Sequence, residues 1–394
     1  MKLSTTYLGR RFENPFVLAS GPPTANLEMI SRAFDAGWAG AVIKTLVRDP
    51  VHNFHNRFAS IKSGNRIFAF ENLELLSEQS PDRWYREISA LKRRFPGKVV
   101  IASIMGDARN ALPWIDLALG CQDAGADMLE LNFSCPHGYP EKGQGAAIGQ
   151  NVEYSASIVG WLKADARIKI PLAPKLTAAV SDISCIGEAV AQAGADGLCA
   201  INTFPSLSGI DLKTLIPKPT VGNRSAYGGY SGRGLKPIAL RCVSQLAKQP
   251  GLPVMACGGI ATGHDAAEFM LIGAPLVQVC TEVMLEGYAI VGRMIDELSA
   301  FMEQHSFASV ADFVGISNRN ICAFSEIDDG ALAKARVDYR KCNGCGRCLI
   351  SCRDGAYQAI AMQDGKAVVV EEKCAGCSLC IQVCPLDAIA LVHP

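Results

Sequence analysis

The sequence predicts a (β/α)8 barrel of the TIM type followed by a small cysteine-rich domain. Three observations lead there. Short, nearly uninterrupted apolar runs recur eight times between Phe16 and Thr281. Helical patterns fill most of the gaps between them. The cysteines also divide abruptly, with eight in the first 330 residues and eight between 342 and 394. A composition break that sharp marks a domain boundary.

The runs are Phe16–Ser20, Ala41–Thr45, Val99–Met105, Met128–Ser134, Ile170–Leu176, Gly197–Thr203, Val254–Gly258 and Leu276–Thr281. Each is rich in Val, Ile, Leu, Ala or Met, as expected of a strand covered on both faces. Pro113–Ala124 and Ser181–Ala193 are two of the helical stretches between them. A small-residue punctuation precedes four of the strands, at Ala36-Gly37, Ala124-Gly125-Ala126, Ala193-Gly194-Ala195 and Ile272-Gly273-Ala274. Glycine there suits a helix C-terminal cap and a tight turn into the next strand. An open doubly wound sheet is the competing architecture. The strand count favours the closed barrel, and no G-x-G-x-x-G follows the first strand. The expected domains are residues 1–310 for the barrel, 311–335 for a connector and 336–394 for the cysteine-rich unit.

Apolar residues make up 49% of the chain and charged residues 19%. The charged share lies below the usual quarter or so, which excludes a disordered protein and implies a large dry core. The 38 basic and 38 acidic residues cancel. Nothing in that balance points to nucleic acid or an acidic membrane surface. No apolar run is long enough to span a bilayer, and the first residues show no secretory pattern. Sixteen cysteines without an export signal then read as reduced thiols or metal ligands in a cytoplasmic protein.

In such a barrel, chemistry sits at the C-terminal ends of the strands. Ser20, Lys44-Thr45, Asn132 with Ser134-Cys135, Lys175, Asn202-Thr203, Gly258-Gly259 and Cys280-Thr281 all fall there. A strand buried on both faces has little reason to end in lysine unless something uses the charge. Two lysines and several amides suit a planar, electron-accepting ring such as a flavin, whose reduced form gains negative charge. Asparagine side chains match a cyclic amide or imide. The Gly258-Gly259 turn and the Cys280-Thr281 strand end lie where barrels commonly hold a phosphate. The segment 135–145 is rich in Gly and Pro and reads as a lid with Cys135 at its base. A thiol titrates close enough to neutrality to serve as general acid, with His137 as the rival. Cys121, Cys185, Cys199, Cys242 and Cys322 read as small buried apolar residues.

The tail carries the strongest signal. Cys342, Cys345, Cys348 and Cys352 follow C-x2-C-x2-C-x3-C, and Cys374, Cys377, Cys380 and Cys384 repeat it 32 residues later, with Pro385 behind the last. The spacing resembles that of bacterial ferredoxins with two [4Fe–4S] clusters, in which the fourth cysteine of each run ligates the other cluster. Carried over, Cys342, Cys345, Cys348 and Cys384 hold one cluster, and Cys374, Cys377, Cys380 and Cys352 hold the other. Zinc is the alternative, although it usually takes two separated C-x2-C pairs. Arg353 stands where proline would follow Cys352. A flavin barrel joined to such a tail converts two-electron into one-electron chemistry. Since no dinucleotide fingerprint is present, a nicotinamide would belong to another subunit.

The whole chain resembles the dihydropyrimidine dehydrogenase family, in the form of the catalytic flavin and iron–sulfur subunit of the bacterial NAD-dependent enzymes. The carriers are Asn14-Pro15-Phe16, Lys44-Thr45, Asn72-Leu73-Glu74, the run Glu130 to Gly138, Lys175-Leu176-Thr177, Asn202-Thr203, Tyr227 to Gly232, Gly258-Gly259-Ile260 and Gln278-Val279-Cys280. The resemblance implies an FMN-linked, dihydroorotate-dehydrogenase-like barrel with a dicluster ferredoxin-like tail. It places FMN on Ser20, Lys44, Thr45, Lys175, Gly232, Gly258, Gly259, Cys280 and Thr281. It places uracil or thymine on Asn72, Asn132, Ser134, Asn202 and Thr203. Hydride would pass between FMN N5 and pyrimidine C6, and Cys135 would deliver the proton to C5. The partner would be an iron–sulfur subunit binding FAD and NAD, in a hetero-oligomer that also pairs two copies of this chain. Tyr139-Pro140, Gly143-Gln144-Gly145 and Phe204-Pro205-Ser206 depart from the family pattern and bear on the substrate. A dihydroorotate-type or other cyclic-amide dehydrogenase, a pure electron-transfer subunit and a cofactor-free barrel with a structural metal are the rival readings.

Overall fold

The computed structural model describes residues 2–135, 144–249, 251–327, 330 and 333–393. It divides into two compact units, Met1–Asn320 and Ile321–Pro394.

In the first unit, eight strands close into a parallel barrel: β1 Phe16–Leu18, β2 Gly40–Val42, β3 Val99–Ile104, β4 Met128–Asn132, β5 Leu172–Leu176, β6 Leu198–Ala200, β7 Val254–Cys257 and β8 Leu276–Val279. Each pairs with its sequence neighbours, and β8 closes on β1 through Val277 against Phe16. Among the described residues, the longer helices of this unit cover the outside: α1 Leu27–Ala36, α2 Pro81–Arg94, α3 Ala111–Asp123, α4 Val152–Ala164, α5 Ile183–Gln192, α6 Lys236–Ala247, α7 Gly263–Leu271 and α8 Ile290–Gln304. All eight apolar runs of the sequence are barrel strands. Their near-total burial explains why they lack the alternation of a half-exposed strand.

Local chemistry sets the helix ends. Asn26, Asn151 and Thr262 each accept a backbone N–H of the first turn of α1, α4 and α7. The punctuation glycines Gly37, Gly125, Gly194 and Gly273 all take the left-handed conformation, with φ of 111°, 97°, 98° and 117°. That is the geometry for which a C-terminal glycine is suited.

An N-terminal hairpin, Thr5–Tyr7 against Arg10–Phe12, plugs the end of the barrel away from the strand C-termini. Tyr7 and Phe12 pack with Val17, Val42, Ile101, Met128, Cys199, Met255 and Leu276. The Tyr7 hydroxyl donates to Leu198 O at 2.7 Å. That end is filled, so the space in the barrel opens at the other end.

Sequence reasoning missed a four-stranded antiparallel sheet, in the order Phe204–Ser206, Gly228–Ser231, Arg66–Asn72, Phe58–Ser63. Phe204-Pro205-Ser206, one of the departures from the family pattern, is its edge strand. Two of the five presumed core cysteines need correction. Cys121, Cys199 and Cys242 are buried, but Cys185 and Cys322 are exposed. On α5 the helical period turns Ile183, Ile186, Gly187 and Val190 inward, which leaves Cys185 on the solvent side. Cys322 sits in the exposed stretch 321–327.

The second unit has the symmetry of a tandem repeat. Lys334–Val337 pairs antiparallel with Ile389–Val392, and Ile360–Gln363 with Lys366–Val369. The helix Arg347–Gly355 carries Cys348 and Cys352, and the helix Leu379–Gln382 carries Cys380, with Cys384 two residues beyond its end. Among the described residues, no helix is long and apolar enough to cross a membrane.

Candidate active site and cluster sites

The C-terminal ends of the barrel strands enclose a cavity with about 1120 Å³ of empty space, counting its open mouth. Its wall includes Ser20 beyond β1, Lys44 and Thr45 beyond β2, Asn132 at the end of β4, Cys135, Lys175 on β5, and Asn202 and Thr203 beyond β6. Gly258 and Gly259 follow β7, and Cys280 and Thr281 follow β8. Asn72 and Gly232 reach it from the antiparallel sheet and the turn after it. Nearly every residue singled out in the sequence thus meets in one space. Ser134 instead stands behind the wall, fully buried. The segment 136–143, with His137 and most of the expected lid, lies outside the described residues.

Hydrogen bonds fix the polar groups. Asn132 Nδ2 donates to Thr45 Oγ1 at 3.0 Å, while Asn132 Oδ1 accepts from the Ser134 amide at 3.2 Å and hydroxyl at 3.3 Å. The two ends of the Asn132 amide are therefore told apart, and Ser134 orients it. Thr45 also meets Ser103 Oγ at 2.8 Å and Ser20 Oγ at 3.2 Å. Asn72 Nδ2 donates to Gly229 O at 3.0 Å, which ties it across the antiparallel sheet. Cys135 is buried beside Asn132, and its carbonyl accepts from the Ala146 amide at 2.9 Å.

The charges come in compensated groups. Lys44 pairs with Glu74, which also takes Arg57. Lys175 Nζ donates to Gln278 Oε1 at 2.6 Å and lies 3.7 Å from Glu130 Oε1. Burial opposes the charge on Lys175, but the negative charge of Glu130 beside it helps to hold its pKa above the ordinary lysine value. Burial pushes the Cys280 thiol up to about 12 and raises Cys257 too. Arg233 lines the far side and donates to Glu282 at 2.5 Å. Glu74, Glu130, Gln278, Cys257 and Arg233 all line the cavity and were not singled out as site residues in the sequence. For Glu130 and Gln278 a signal existed: a charged or amide side chain in the middle of an apolar strand.

In the tail, two separate cavities of about 350 Å³ each are framed by cysteines. One is lined by Cys342, Cys345, Cys348 and Cys384, the other by Cys352, Cys374, Cys377 and Cys380. The grouping is crossed, with the last cysteine of each run facing the other run's three. Among the described residues, no three His, Cys, Asp or Glu side chains come together closely enough to hold a single metal ion. Four thiols spread round a hollow fit a multi-atom cluster better than one zinc. Backbone amides of Ala359 and Ala388 point at Cys352 and Cys384 Sγ, at 3.2 and 3.3 Å. Such bonds stabilise charge on cluster sulfurs. Arg353 pairs with its neighbour Asp354 at the surface.

Comparison with known proteins agrees with this geometry. Residues 2–302 match the family model described as dihydroorotate dehydrogenase, and residues 335–391 match a 4Fe-4S dicluster domain. The chain is 39% identical over 362 residues to the NAD-dependent dihydropyrimidine dehydrogenase subunit PreA of Escherichia coli, covering 91% of this chain and 87% of that one. It is 39% identical to the chloroplastic dihydropyrimidine dehydrogenase (NADP(+)) of Arabidopsis thaliana, over 80% of this chain and 76% of the other. The catalytic subunit of dihydroorotate dehydrogenase B (NAD(+)) from Pyrococcus abyssi is 35% identical and matched over 99% of its own length, yet covers 80% of this chain. The barrel with its convergent polar cavity, the two cysteine-framed hollows of the second unit and these matches make the chain an oxidoreductase of the dihydropyrimidine dehydrogenase family, within the wider dihydroorotate dehydrogenase family.

Proposed function

We propose that the chain interconverts uracil or thymine with their 5,6-dihydro forms and exchanges electrons with a separate subunit that binds FAD and NAD. One observation carries this reading: Cys135, Asn72, Asn132, Asn202 and Thr203 converge on a cavity that also holds the buried lysines Lys44 and Lys175. The amides and hydroxyl supply the alternating donors and acceptors that a cyclic imide edge requires. The dihydropyrimidine dehydrogenase relative PreA extends over more of this chain than the dihydroorotate one, and its name makes it one subunit of an assembly.

The cavity fits FMN. Lys175 is a fully buried cation at its floor. Gly259, at φ +77°, lets the wall come so close that an added Cβ would lie 2.5 Å from the Lys236 amide nitrogen. Ser20, Lys44, Thr45, Lys175, Gly232, Gly258, Gly259, Cys280 and Thr281 would hold the cofactor. FMN, when bound, supplies hydride exchange with a ring carbon. The chain's own part is to orient the pyrimidine with the three asparagines and Thr203, to keep Asn132 pointed through Ser134, and to hold at Cys135 Sγ the proton destined for C5. In the tail, Cys342, Cys345, Cys348 and Cys384 would hold one [4Fe–4S] cluster and Cys352, Cys374, Cys377 and Cys380 the other. Such clusters carry single electrons.

The test is an anaerobic titration of the flavin absorbance. Dihydrouracil or dihydrothymine should bleach the flavin band, and uracil or thymine should shift it. A response confined to orotate and dihydroorotate would overturn the substrate assignment. A second expectation concerns the turn after β7. Gly259→Ala forces a side chain into a left-handed position against backbone, so it should cost on the order of 1–3 kcal/mol. Thermal melts with and without added FMN should show the loss, together with weaker stabilisation by FMN.

A further inference from the structure

One charged group in the barrel has no part in the reaction just described. Glu130 lies in the middle of β4, among Met128, Leu129 and Leu131, and is fully buried. Its Oε2 accepts from Gln278 Nε2 at 2.6 Å, and Gln278 Oε1 in turn accepts from Lys175 Nζ at 2.6 Å. The other carboxylate oxygen stands 3.7 Å from Lys175 Nζ and makes no hydrogen bond. All three side chains line the cavity floor. An incompletely bonded carboxylate in a barrel core is costly, and an apolar residue would be cheaper there.

The neighbours of Lys175 narrow the role of this acid. Cys199 faces it from β6, Cys257 from β7 and Cys280 from beyond β8, and burial pushes all three thiols up. Tyr7, from the hairpin below, faces Glu130, and burial raises its hydroxyl as well. These groups are uncharged near neutrality. Among the described residues, Glu130 is then the negative charge that faces Lys175. A fully buried ammonium without such a partner gives up its proton.

We propose that Glu130, bridged through Gln278, is a positioning residue that keeps Lys175 charged and fixed at the floor of the flavin site, so that a permanent lysine charge sets the flavin's reduction potential. The inference rests on the reading that FMN binds this cavity. It does not depend on the substrate.

The test is potentiometry of the FMN-loaded full chain between about pH 6 and pH 9. It compares the wild type with Glu130→Gln, Lys175→Met and the exchange Glu130→Gln/Gln278→Glu. In Glu130→Gln the potential should lie at or above the wild-type value at the acidic end, where the lysine keeps its proton and the carboxylate charge is gone. As pH rises the lysine loses its proton, and the curve should fall below the wild type to meet that of Lys175→Met. The exchange variant, with one carboxylate and one amide restored, should follow the wild type. A Glu130→Gln curve parallel to the wild type at every pH would overturn the proposal. Should Glu130→Gln not fold, the exchange variant decides: a wild-type course supports the role, and a course along Lys175→Met removes it. Failure of both to fold would assign Glu130 to the core alone. These potentials need only bound FMN, so the proposal and the pyrimidine assignment can fail separately.

Discussion

Replacing Cys135 with alanine is expected to lower turnover of uracil and dihydrouracil by about 100- to 10,000-fold, the usual worth of a positioned general acid or base. The flavin and cluster absorbance should stay as in the wild type, and so should reduction of an artificial one-electron dye by way of the partner subunit. The asymmetry follows from position. Cys135 lines the cavity three residues beyond Asn132, at the end of β4, whereas the cluster cysteines belong to the other compact unit. Its side chain is small and its carbonyl, not its thiol, accepts from Ala146, so alanine keeps that backbone contact. Substrate binding should change little, because the asparagines and Thr203 remain. Single-turnover kinetics and a binding titration on the same preparation separate the two effects. If the variant kept full turnover, the chain would be an electron relay, and the asparagine-lined cavity would need another explanation.

The division between what could be read from the sequence and what could not follows from contact range. Barrel strands are covered on both faces, so burial writes itself into each as a continuous apolar run. Val99–Ile104 is recognisable without any knowledge of its neighbours. The cysteine spacing is equally local, and the ferredoxin resemblance it carries implies the same crossed grouping by which the cysteines line the two hollows. The antiparallel sheet was different. Its strands are short and half-exposed, and Gly229 pairs with Asn72 across more than 150 positions. No local pattern announces such a pairing. Asn72 and Gly232 could be placed in the site only through a resemblance. Glu74 and Arg233 were given no role in the site for the same reason: surface-like sequence became cavity wall through tertiary packing. Cys185 erred in the other direction. A cysteine is small enough for either side of a helix, and only the positions of Ile183, Ile186 and Val190 decide which side it takes.

The crossed grouping of the tail cysteines makes an outcome that a linear grouping cannot imitate. The chain purified without oxygen should carry about eight irons, four for each of two clusters. Cys342→Ala/Cys384→Ala removes two ligands from one hollow and leaves Cys352, Cys374, Cys377 and Cys380 complete. It should therefore retain about four irons per chain. Cys342→Ala/Cys352→Ala takes one ligand from each hollow and should retain almost none. If each run held its own cluster, these two results would be exchanged. The structural reason lies in the helix Arg347–Gly355: Cys348 faces one hollow, and Cys352, one turn later, faces the other. That helix is thus shared between the hollows, and clusters bound there would couple the two halves of the tail as metal binding couples to folding in other small domains. The variant that loses both clusters should also lose the cooperative melting of the tail, whereas the four-iron variant should keep part of it. Iron analysis alongside circular dichroism on the same samples gives both readings, and equal iron in the two variants would rule out either grouping.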